Sequence, residues 1–196
     1  MSATLAVPST GGYFDSALQT RAIRLLPADY LVTDQPVALV TLLGSCVAAC
    51  LYDPAMRLGG MNHFMLPGGD DNDATSARYG VNAMELLIND LLKRGARRQR
   101  LQAKVFGGGN VLSGFHSHPI GTRNARFVLD YLDAEKIPVL AQDLGDTQAR
   151  KVGFFVQTGR SLVKRLPATR DEVVDAERAL YGRLARAPVA GTVELF

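Results

Sequence analysis

Apolar and polar residues alternate along this chain in two different rhythms. Residues 37–43 (VALVTLL) and 46–52 (CVAACLY) are unbroken apolar runs of strand length, separated by Gly44-Ser45 and closed by Asp53-Pro54. Continuous Val, Leu and Ala of that length predict buried strands, and the small pair between them predicts a sharp turn. Residues 58–66 (LGGMNHFML) predict a third strand, ended by Pro67-Gly68-Gly69, and a polar loop follows. The rhythm then lengthens. Val81, Met84, Leu87, Ile88, Leu91 and Leu92 recur at three- and four-residue spacing, which predicts a helix capped by Thr75 or Ser76, with Lys93 in its last turn and Gly95 at its C-terminal cap. A strand over 101–106 runs into Gly107-Gly108-Gly109. A helix over 122–135 turns Phe127, Val128, Tyr131 and Leu132 inward, strands follow around 138–141 and 151–157, and a charged helix covers 171–186 with Val173, Val174, Ala176, Leu180 and Leu184 on one side. Strands cluster ahead of the first helix rather than alternating with helices, so the pattern predicts an α+β fold.

Length changes this picture little: 196 residues suit one domain, read here as a loose arm over 1–20, a core over 21–168 and a helical extension over 169–196. An apolar fraction of 47% with 21% charged residues is that of an ordinary globular chain. No apolar run reaches the ~18 residues of a spanning helix, and the first residues carry neither a basic nor an apolar leader segment, which predicts a cytoplasmic protein. The net charge of +3 is scattered except for the block 93–100 (KRGARRQR), which reads as charge at a helix end followed by a solvated loop and does not indicate nucleic acid.

Two cysteines exclude a disulfide scaffold and leave room for one reactive thiol. Cys46 sits at the Gly44-Ser45 turn, where a nucleophile is accessible and backbone N–H groups can face a developing oxyanion. His63 can lie beside it if the strands are neighbours. Read singly, Cys46 also fits a small buried residue and His63 a satisfied structural histidine. Cys50 is about 13 Å further along the strand, at roughly 3.3 Å per residue, and reads as packing. His116-Ser117-His118-Pro119 resembles the zinc signature of JAMM-type metallopeptidases. That signature needs a serine and an aspartate where Arg126 and Leu129 stand, and Asp130 is one residue too late, so no metal site is expected. The run Gly107–Gly109 lacks the lysine of a phosphate loop and the third glycine of a dinucleotide fingerprint, leaving a tight turn.

The motifs gain a meaning together. Thr41-Leu42-Leu43-Gly44-Ser45-Cys46, Asp53-Pro54, Gly59-Gly60-Met61-Asn62-His63-Phe64-Met65-Leu66-Pro67, Arg78-Tyr79-Gly80, Val105-Phe106-Gly107-Gly108, Arg123-Asn124-Ala125-Arg126-Phe127-Val128 and Asp143-Leu144-Gly145 follow one another as they do in the CheD family of chemoreceptor glutamine deamidases. The chain resembles that family from about Ala22 to Leu166. The resemblance implies a layered β-sandwich flanked by helices, related to toxin deamidases with a cysteine–histidine site and needing no cofactor. It places the catalytic pair on Cys46 and His63, with the Gly44-Ser45 turn at the oxyanion. A family threonine near the cysteine is assigned to Thr41, the only hydroxyl in its strand. The neighbouring position is Val40, and alternation puts the two on opposite faces. The implied substrates are glutamines on the cytoplasmic helices of methyl-accepting chemoreceptors, with a CheC-type phosphatase as a second partner. A monomer without nucleic-acid binding or membrane insertion is expected, and a non-catalytic docking or regulatory module for chemoreceptors or a CheC-type phosphatase is the alternative.

Overall fold

The computed structural model describes residues 11–67, 74–111, 120–166 and 171–186. Residues 1–10 of the expected arm and the His116-Ser117-His118-Pro119 stretch lie outside them. In chain order the described elements are β1 (Tyr13–Asp15), β2 (Thr20–Arg24), β3 (Tyr30–Thr33), β4 (Ala38–Leu43), β5 (Val47–Asp53), β6 (Leu58–Asn62), α1 (Ala74–Lys93), a 3-10 turn (Arg98–Arg100), β7 (Gln102–Gly107), α2 (Ile120–Ala134), β8 (Val139–Leu144), β9 (Arg150–Phe155), β10 (Arg160–Arg165) and α3 (Asp171–Arg186). The fold is α+β. Its strands form two five-stranded sheets, β1-β2-β4-β9-β10 and β3-β6-β5-β7-β8, each with one parallel pair (β2 with β4, β7 with β8).

Side-chain alternation explains the layers. Leu39 and Leu43 of β4 and Val152 and Phe154 of β9 meet Ala48 and Cys50 of β5, Met61 of β6 and Phe106 of β7 in the core between the sheets. The opposite face of β5 and β7 (Val47, Ala49, Leu51, Ala103, Val105) packs on Met84, Leu87, Ile88 and Leu91 of α1 and on Val128 and Leu132 of α2. Strand β5 is therefore covered on both sides, which is why its sequence is a solid apolar run.

Several elements differ from the sequence reading. Part of the expected arm forms β1, whose Tyr13 pairs with Ala22 of β2. Pairing of the third central strand stops at Asn62, because the backbone of His63 turns to Ala28 and Asp29 and only Phe64 bridges back to Val47. Val81 is 40% exposed: the inward stripe of α1 runs through Gly80 instead, where a Cβ would stand 2.5 Å from the ring of Phe127. Ser76 does not cap α1 but is buried in its first turn, donating to Pro67 O. In α3 the inward stripe includes Glu177, not Ala176. Three cations of the basic block pair within the molecule: Arg94 with Asp90, Arg98 with Glu135, and Arg100 with the buried Asp53 at 2.7 Å.

Candidate active site at a corner between the sheets

Strands β4 and β5 are consecutive but belong to different sheets, so Gly44, Ser45 and Cys46 form a corner that carries the chain across the sandwich. These three residues are buried and their backbone groups sort by direction. All three carbonyls are held from behind: Gly44 O accepts from Gly109 N at 2.8 Å, Cys46 O from Gly108 N at 2.8 Å, and Ser45 O from the Asn124 side-chain amide at 2.8 Å. All three N–H groups consequently point forward, to one place.

The glycine run makes this approach possible. Gly107 and Gly108 have φ of +105° and +63°, and a Cβ on Gly107 would stand 2.2 Å from Cys46 O. The expected tight turn is thus the rear support of the corner. Asn124 of α2, fully buried, completes that support by accepting from Leu66 N at 2.9 Å while donating to Ser45 O.

His63 is buried, and its Nδ1 lies 2.8 Å from Thr41 Oγ1, which is also 2.8 Å from Leu25 O. A carbonyl can only accept, so the single hydroxyl proton of Thr41 goes to Leu25 O and the oxygen accepts from His63 Nδ1–H. This places the lone pair on His63 Nε2, which makes no hydrogen bond among the described residues. Alternation along β4 sorts the two neighbouring positions: Val40 packs outward with Ala22 and Ala38, while Thr41 faces His63. Cys50 lies within the inter-sheet core.

The third party at the site was not legible as such in sequence. Glu177 of α3 is buried against the corner. Its Oε1 accepts from Gly44 N at 2.8 Å and Cys46 N at 2.9 Å, and its Oε2 from Ser45 N at 2.7 Å. One side-chain atom each from Cys46 (Sγ), His63 (a ring nitrogen) and Glu177 (a carboxylate oxygen) fall within 4.8 Å of one another. The trio could ligate a soft cation, yet the carboxylate oxygens are already taken by N–H donors, which marks the corner as a seat for an anion or a polarised carbonyl. Burial pulls His63 down to about 3, so its ring is neutral. Burial and the adjacent Glu177 carboxylate push the Cys46 thiol well up. Tyr79 of α1 is also pushed up, to about 12, by burial and by its proximity to the Cys46 sulfur.

A thiol, an imidazole whose tautomer is fixed, and converging N–H donors are the equipment of thiol-based acyl transfer, the class of chemistry in which a sulfur attacks a carbonyl whose oxygen is held by backbone amides. The chain belongs to the CheD family. A family model described as "CheD chemotactic sensory transduction" matches residues 65–165. Proteins named "Probable chemoreceptor glutamine deamidase CheD" from Xanthomonas campestris pv. campestris and Stenotrophomonas maltophilia are 58% and 57% identical over 197 residues, covering 100% of each chain. One of the same name from Methylobacillus flagellatus is 51% identical over 194 residues, 96% of each chain. Among solved structures, the crystal structure of a Bacillus licheniformis hypothetical protein, YfiH, aligns with 61% of this chain and 51% of its own at 16% identity and a TM-score of 0.43.

Proposed function

We propose that this chain is a chemoreceptor glutamine deamidase, hydrolysing receptor glutamine side-chain amides to glutamate with release of ammonia. The observation that carries the reading is the forward-facing N–H cluster of Gly44, Ser45 and Cys46 beside an imidazole whose free nitrogen is Nε2. Nε2 of His63 takes the Cys46 proton, and the sulfur bonds to the amide carbon. The carbonyl oxygen becomes an oxyanion held by the corner N–H groups. The imidazolium returns its proton to the amide nitrogen, the C–N bond breaks and ammonia leaves a thioester. Nε2 then deprotonates water, hydroxide adds to the same carbon, and the C–S bond breaks to give the glutamate and the Cys46 thiol. Thr41 acts throughout by holding Nδ1–H, so that Nε2 always carries the lone pair.

The names and extent of the full-length relatives support chemoreceptors as substrates. No described helix is long and apolar enough to cross a membrane. Action as a cytoplasmic monomer on the receptors' cytoplasmic helices is part of the same proposal. The family resemblance supports a CheC-type phosphatase as a second partner. Incubating the protein with a receptor cytoplasmic fragment should raise the fragment's mass by about 1 Da per converted glutamine, with His63→Ala slower by roughly 10²–10⁴-fold. No mass change with the wild-type chain would overturn the reading.

A further inference from the structure

Helix α3 carries Val173, Glu177, Leu180 and Leu184 along one face. Its apolar members close the end of the sandwich: Val173 packs with Ala149, Leu166 and Leu42, and Leu180, Tyr181 and Leu184 join the inter-sheet core. A glutamate in the middle of such a stripe is costly to bury unless its charge is met. Here it is met by the three N–H groups on which the deamidation chemistry depends. The Glu177 carboxylate is also the chemical group that deamidation produces, and it lies beside Cys46 and His63.

We propose that α3 is a tethered product complex, seated as a deamidated substrate helix would be. The site accordingly reads a glutamine on an amphipathic helix that has apolar residues four before it and three and seven after it, and α3 gives way to that helix. This inference rests on the deamidase reading above. The spacing is that of Val173, Leu180 and Leu184 around position 177. The corner also distinguishes product from substrate. Ser45 N donates to the second carboxylate oxygen at 2.7 Å, where an amide presents either its own N–H or, once flipped, a single carbonyl oxygen. The carboxylate therefore satisfies all three donors at once, and an incoming amide competes against a fully bonded occupant. A docked α3 keeps the thiol protonated by burying it and setting a carboxylate beside it. A small cavity between the helix and the histidine is lined by Leu26, Pro27, Thr41, His63, Val173 and Glu177.

The test uses the full chain. Glu177→Gln puts a substrate amide where the product now sits. Cys46 should attack its Cδ, ammonia should leave, and water should release the thioester, restoring glutamate at position 177 with a gain of about 1 Da. The same substitution combined with Cys46→Ala should keep its glutamine. In parallel, Glu177→Ala should speed iodoacetamide labelling of Cys46 and deamidation of a receptor fragment by about tenfold. A glutamine that persists at position 177 in a chain that still deamidates the receptor fragment overturns the tethered-product proposal and leaves the deamidase reading standing. Conversion at position 177 with no receptor turnover by any variant supports the helix pose and overturns the receptor as substrate. Neither conversion nor receptor turnover overturns both.

Discussion

The two ends of β5 each bury a carboxylate, and they do so for opposite purposes. At the far end, Asp53 accepts from Ala55, Met56 and Arg97 N–H groups and from the Arg100 guanidinium. Burial alone would push it up, but these partners hold it down to about 2. Those backbone donors lie in its own turn and the neighbouring loop, and nothing has to leave for another molecule to enter. At the near end, Glu177 reaches across 131 positions of sequence to the N–H of Cys46, onto donors that a substrate carbonyl would use in the proposed reaction. A buried carboxylate closed by its own turn and a guanidinium is architecture. One seated on a reactive corner and supplied by a separate helix is an occupant.

Four predictions separate the ends. Asp53→Ala strips Arg100 and Arg97 of their shared partner and should cost about 3 kcal/mol of stability in denaturant titration, with turnover per folded molecule unchanged. Asn124→Ala releases the Ser45 carbonyl and misaims the corner. It should lower kcat about 10²-fold in a steady-state ammonia-release assay while KM changes little. Acid should resolve the ends in turn. His63 is held below its ordinary value, so the unfolded chain binds the extra proton, and stability falls as pH drops from about 6.5 toward 3. Asp53 is also held below its ordinary value, and its share, about 2 kcal/mol, is present above pH ~4 and lost between about 4 and 2. Thermal melts across pH should show His63→Gln flattening only the first slope and Asp53→Ala only the second. The smallest effect belongs to Thr41: Thr41→Val frees His63 Nδ1 and should cut kcat about tenfold, and Thr41→Ser should restore most of it.

Legibility in the sequence followed the physics of each residue. The β4 and β5 runs, the stripe of α1 from Met84 to Leu91 and the span of α3 were readable because burial writes itself as an apolar period. Strand β10, charged and half-exposed (RSLVKR), left no such mark, and β1 is too short to leave one. Position at a Gly-Ser turn picked out Cys46, and family resemblance joined it to His63. That β4 and β5 lie in different sheets was invisible, because a corner and a hairpin both begin with small residues. Asn124 and Glu177 were missed as site residues for one reason: a single polar residue on a helix carries no signal of which loop it reaches. The available clue was a mismatch of period, since Glu177 falls on the inward stripe set by Val173, Leu180 and Leu184.

In the proposed reaction the corner cysteine carries the chemistry, while the second cysteine, four residues on within β5, only packs. Receptor-fragment deamidation by Cys46→Ala and Cys50→Ala, compared by mass spectrometry per folded molecule, tests this assignment most directly. Cys46→Ala should give no detectable conversion and Cys50→Ala near wild-type conversion. Undiminished conversion with Cys46→Ala would contradict the assignment.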